Sequence, residues 1–379
     1  MTLDRRSLLK QIGVGIAAGS ILTPARSAAG ATAVEGVSKE PGGPIRLNHN
    51  ENAYGASKKA IAAIRETAGQ AYLYPDTTVL QNALAMHHGV KPEQIVLGCG
   101  SSDVLRSAAS AFLGPGTALI TAAPTCDLIT KFGRDKDATV EEVPLRKDHA
   151  HDLSAMLERS NGSAKNGLIY VCNPNSPTST LSTRKDIEDF LGKVSPNFHV
   201  VIDEAYHDYA GGSGAYVSFL DQPAGNPRVI VTRTFSTSYG LAGARVGYAV
   251  TSAPVARKMG QASLPFAINN AGMSAAVAAL ADRQHVETSA KRNFDDRQEF
   301  MNQVNARMLR ALDSHTNFIC LNVMRPAGEI IEHYRKNNFL LAPLIPSMPT
   351  YLRISLGIPE SMREFWRVWD LLGSHPMSM

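Results

Sequence analysis

The chain has 379 residues, 44% hydrophobic and 19% charged, an ordinary globular composition with apolar material for one large domain and a smaller one. Disordered, collagen-like and coiled-coil proteins are excluded. Four cysteines (Cys99, Cys126, Cys172, Cys320), none in a CxxC or zinc-ligand spacing, exclude a disulfide scaffold, and no metal site is expected. The formal charge of +4 does not signal nucleic acid, because Arg5, Arg6, Lys10 and Arg26 face one acid, Asp4, in the first 33 residues.

Residues 1–33 have the order of an export signal. Asp4-Arg5-Arg6-Ser7-Leu8-Leu9-Lys10 resembles the twin-arginine motif, an apolar run follows from Ile12 to Leu22, and small residues end it at Ala29-Gly30-Ala31 or Ala31-Thr32-Ala33. The run is shorter than the ~20 residues a membrane span requires, so no stable span is expected. A periplasmic or extracellular protein is the expectation, with residues 34–56 as an N-terminal arm.

From about residue 57 amphipathic stretches alternate with short apolar runs. The stretches Lys58–Thr67, Ser102–Phe112 and Arg184–Leu191 predict helices. The runs Ile95–Leu97, Ala118–Thr121, Leu168–Cys172, Val200–Ile202, Val229–Val231 and Val246–Val250 predict strands of a mostly parallel sheet covered on both faces. This large domain is expected over residues 57–260. A smaller α/β domain is expected over 261–379: a long helix from Val286 to Leu312, strands Phe318–Leu321, Phe339–Leu341 and Leu352–Ser355, and a closing helix from Glu360 to Leu372.

In open α/β sheets ligands bind beyond the carboxyl ends of the strands. Gly98-Cys99-Gly100-Ser101-Ser102-Asp103 follows the first run and opens a helix, a place where free N–H groups favour a phosphate. The same residues also make a plain turn and N-cap. Asn173-Pro174-Asn175-Ser176-Pro177-Thr178 and Asp203-Glu204-Ala205-Tyr206 follow two other runs. The segment Arg233 to Tyr248 combines glycines, hydroxyls and Arg245, a set suited to an anion.

Together with Asn50-Glu51-Asn52, Tyr74-Pro75-Asp76 and Tyr351 to Gly357, these segments occur in an order and at separations that resemble the histidinol-phosphate aminotransferase branch of class I/II aminotransferases. The resemblance spans about residues 45–373. It implies a pyridoxal-phosphate (PLP) protein of fold type I, with a mostly parallel seven-stranded sheet and a smaller C-terminal domain. Asp203 would pair with the ring nitrogen and Tyr206 with the ring oxygen. Ser101, Ser102, Ser236 and Arg245 would hold the phosphate. Tyr74 would reach the partner's cofactor in a homodimer. Asn50 and Arg353 would bind a small amino-acid-like substrate.

The departures from that pattern cluster at the chemistry. Thr237 stands where the family has its cofactor-linking lysine, and threonine cannot make that link. Ser176 replaces the asparagine at the ring oxygen, Cys126 the aromatic that stacks on the ring, and Ala342 an arginine that binds the substrate's phosphate. Three readings follow: an enzyme with a lysine-independent reaction, a non-catalytic protein binding PLP or an amino-acid adduct, and a scaffold with a new role. Histidinol phosphate is not expected as substrate.

Overall fold

The computed structural model describes residues 43–372, so the expected export signal lies outside the described residues. Among the described residues twelve strands form three sheets. In chain order they are β1 (Ile45–Leu47), β2 (Ile95–Cys99), β3 (Ala118–Ala123), β4 (Thr139–Pro144), β5 (Gly167–Cys172), β6 (Phe198–Asp203), β7 (Val229–Thr234), β8 (Val246–Val250), β9 (Arg310–Ala311), β10 (Phe318–Asn322), β11 (Phe339–Leu341) and β12 (Tyr351–Ser355). Seven make the large sheet, ordered β2-β8-β7-β6-β5-β3-β4, in which only β8 runs antiparallel to its neighbours. This is the fold the resemblance implied.

Both faces of that sheet are buried, and strand alternation divides its residues between them. Leu168, Tyr170 and Cys172 of β5 join Val201, Ile230 and the helix Ser101–Phe112 on one face. Ile169 and Val171 join Val200, Ile202, Ile187 and Phe190 on the other. The runs read from sequence as strands are these strands, each within three residues at either end. The sequence reasoning missed β4: Glu141 and Glu142 interrupt its apolar pattern, which an edge strand with only β3 as partner tolerates.

The second core gathers Leu47 of β1, Ile319 and Leu321 of β10, Leu352 and Ile354 of β12, Phe300 and Val304, and Phe365, Trp366 and Trp369 of the helix Pro359–Asp370. The long helix runs Arg283–Ala306 rather than Val286 to Leu312. It stops because Met308 adopts a left-handed φ of 53°, after which Arg310 and Ala311 pair with β10 instead. β11 pairs in parallel with β1, so the N-terminal arm is tied to the C-terminal part of the chain. No helix among the described residues is long and apolar enough to cross a membrane.

Candidate active site

The site is assembled at the carboxyl end of the large sheet. Asp203 is the last residue of β6, on the face that carries Val201, and is almost wholly buried. Its Oδ2 accepts a 2.8 Å hydrogen bond from the Tyr170 hydroxyl, and its Oδ1 accepts from the Ala205 N–H at 3.2 Å. Burial pushes this carboxyl above its ordinary range, while the Tyr170 hydrogen bond pulls it back. Tyr170 itself is held as a phenol, its ionisation opposed first by burial and then by Asp203. A carboxylate desolvated in this way is a partner for a buried cation. Beside it, Glu204 accepts from Arg233 Nε at 3.0 Å and Nη2 at 2.9 Å, which fixes the turn that follows β6.

One edge of the site is a cradle of backbone. Gly100 has φ +76°, and a Cβ there would stand 2.2 Å from Arg245 Nη2, so only glycine lets the guanidinium lie over the start of the helix Ser101–Phe112. Gly247 meets the other side equally closely: a Cβ would fall 2.2 Å from the Ser101 nitrogen. Arg245, itself left-handed at φ 59°, donates to the carbonyls of Ala242 at 3.1 Å and Cys99 at 3.3 Å and to Ser236 Oγ at 3.4 Å. Helix N–H groups, Ser101, Ser102, Ser236 and a guanidinium thus converge where an anion can be held.

Across the site the Tyr206 hydroxyl accepts from Asn50 Nδ2 at 2.9 Å. Burial pushes that phenol up to about 12, against the opposing pull of Arg353, Asn50 and Ser176. Asn50 is fully engaged: its Oδ1 accepts from Ser355 Oγ at 2.9 Å. Arg353 donates to the Asn48 carbonyl at 2.6 Å and to Ser176 Oγ at 3.5 Å, while its Nε is buried with no partner. A cleft of about 470 Å³ opens here, lined by Cys126, Ser176, Ala342 and Arg353 among others, with neither lysine nor histidine in its walls.

Thr237 is buried, and its hydroxyl donates to the Ala205 carbonyl at 2.8 Å, so the position is filled and its proton is in use. Cys126 precedes the helix Asp127–Arg134, and its thiol is pushed up to about 11, by burial first and Asp203 second. Tyr74 stands apart from this group: it is 78% exposed, with its ring 4.4 Å from that of Phe266. Sequence reasoning missed Tyr170, which strand periodicity could have placed on the Asp203 face. It also missed Asn175, which takes Thr125 Oγ1 at 2.7 Å and gives to the Pro124 carbonyl at 3.1 Å, joining the loops that carry Cys126 and Ser176.

Residues 43–367 match the family model of aminotransferase class I and II. The chain belongs to that family. Histidinol-phosphate aminotransferase 2 of Pseudomonas aeruginosa is 35% identical over 89% of this chain and 91% of its own. The histidinol-phosphate aminotransferase of Bacillus velezensis is 33% identical over 84% of this chain and 89% of its own. Among solved structures, a protein of Erwinia carotovora atroseptica superposes with a TM-score of 0.83 at 30% identity, over 86% of this chain and 94% of that one. The histidinol-phosphate aminotransferase of Sinorhizobium meliloti, solved in complex with PLP, gives 0.79 at 25% identity, over 86% and 89%. Class I and II aminotransferases are PLP-dependent enzymes of fold type I, and PLP is the cofactor of this chain's family. The residues present fit that group in charge and space: a desolvated carboxylate for its ring nitrogen and a glycine cradle under Arg245 for its phosphate.

Proposed function

We propose that this aminotransferase-family protein holds PLP without a covalent lysine and handles a small amino-acid-like substrate by a modified route. The observation that carries the reading is the contrast between an intact cradle and a filled linking position. Gly100 and Arg245 keep the anion site, while Thr237 spends its hydroxyl on Ala205. PLP held there would supply an electron sink for the reacting carbon of the substrate. Asp203 would keep the ring nitrogen protonated, Arg245 would neutralise the phosphate and Ser236 hydrogen-bond it, Tyr206 would hold the ring oxygen, and Arg353 would take the substrate carboxylate. Proton movement then falls to Tyr206, whose phenol is held by Asn50 and shares Ser176 with Arg353.

Thr237 in place of a lysine, with its hydroxyl spent on Ala205, favours a second reading, a non-catalytic protein that stores PLP or an amino-acid adduct. The protein acts as a homodimer after export by the twin-arginine route. Support for the dimer is the exposed apolar group Tyr72, Leu73, Tyr74, Leu264 and Phe266, which a second copy would cover. Support for export is the Arg5-Arg6 segment. Absorbance titration with PLP tests the cofactor reading. Asp203→Ala and Arg245→Ala should each weaken binding by about tenfold or more, ~1.4 kcal/mol. A native protein that binds no PLP refutes both readings, and keto-acid release from added amino acids separates the first from the second.

A further inference from the structure

The cleft beside the proposed PLP site has a chemically mixed lining. Arg353 lines it, and its Nε is buried with no hydrogen-bond partner, a guanidinium suited to an α-carboxylate. Ala342, Pro343, Leu344 and Ile345 form an apolar wall of the cleft, with Ala342 buried. Arg134 lines the cleft too, but its Nη2 is 3.1 Å from Glu142 Oε1, so its charge is already answered. Asp127 lines the cleft from the first turn of its helix and has no ion-pair or hydrogen-bond partner among the described residues. The lining therefore combines an apolar wall with one carboxylate, Asp127, that no side chain among the described residues pairs.

We propose that the substrate of this site is an α-amino acid with an uncharged apolar side chain, and that Asp127 and the Ala342 wall exclude side-chain carboxylates and phosphates. The inference rests on the PLP reading above. An anionic side chain placed against that wall would lose water, compete with Glu142 for Arg134 and approach the like charge of Asp127. An aliphatic or aromatic side chain would instead bury against Leu344, which is exposed in the open cleft beside the buried Ile345. Discrimination of this kind is built mainly by repulsion of the wrong ligand.

The test uses borohydride-reduced phosphopyridoxyl adducts of leucine, glutamate and O-phosphoserine, with PLP itself as reference, titrated calorimetrically into the full chain. The leucine adduct should bind about tenfold or more tightly than either anionic adduct. Asp127→Asn should narrow that ratio, and Ala342→Arg should move it toward the phosphoserine adduct. Asp127 is exposed, so its variant keeps the test open if the buried Ala342→Arg fails to fold. Equal or tighter binding of the anionic adducts by the native protein overturns the inference while leaving PLP binding standing. Failure of PLP and all three adducts to bind overturns the site reading and this inference with it.

Discussion

Tyr170→Phe removes a single oxygen from the centre of the site and has a calculable consequence. The Tyr170 hydroxyl gives its 2.8 Å hydrogen bond to Asp203 Oδ2, and both residues are buried. Such a bond contributes about 1 kcal/mol to a neutral acceptor and ~1.5–3 kcal/mol to a charged one. The difference, roughly one pK unit at 1.36 kcal/mol per unit, is the further rise expected in the Asp203 pKa. Burial has already raised that pKa in the folded state. Between the ordinary carboxylate value and the folded one, the native protein binds a proton that the unfolded chain has released. Stability from this group therefore falls as pH rises through that window and levels off above it. The variant should extend the fall to higher pH. Urea unfolding of apo protein from moderately acid to neutral pH reads it: a deficit of about 1 kcal/mol while Asp203 is protonated, growing to about 2–3 kcal/mol once it is ionised. PLP should shrink the gap, since a protonated ring nitrogen restores a partner to the carboxylate. A deficit that is flat with pH would refute the assignment of the Tyr170 hydrogen bond to the ionised carboxylate.

Other outcomes follow from the same structure. Light scattering at micromolar concentration with PLP present should report a dimer, and Tyr74→Ala with Phe266→Ala should weaken it, because these rings stand exposed together; a monomeric native protein contradicts the composite-site reading. N-terminal sequencing of periplasmic protein should start between about residues 28 and 34, and Arg5→Lys with Arg6→Lys should abolish export; intact Met1 in the cytoplasm would count against it. Gly100→Ala should weaken PLP binding through the cradle: a side chain at its positive φ and extended ψ costs about 1–3 kcal/mol, and the new methyl displaces Arg245.

Much of the fold was legible because burial on both faces of a parallel sheet leaves uninterrupted apolar runs. β5 and β6 are such runs, and their ends marked Asp203 and the Asn173–Thr178 loop. What the pattern concealed has physical causes. β4 needs apolar side chains only in part because it is an edge, and the helix end at Ala306 depends on one left-handed residue, Met308. Within the site, Asp203, Tyr206, Arg245 and Arg353 could be named from their motifs, and the structure brings them to one end of the sheet. The Tyr170 contact was not read from sequence because it joins side chains on neighbouring strands. The neutralisation of Arg134 by Glu142 was hidden for the same kind of reason, since the pair joins a helix to an edge strand.

Thr237 fills the linking position and hydrogen-bonds Ala205, and on the function proposed above PLP is held by charge and shape without a bond to the polypeptide. Borohydride treatment of the PLP-loaded protein, followed by intact mass measurement, addresses it directly. The native polypeptide mass should be unchanged, and Thr237→Lys should gain one phosphopyridoxyl group on the new lysine. A native protein that gains the group, with peptide mapping to any other lysine, would contradict the account.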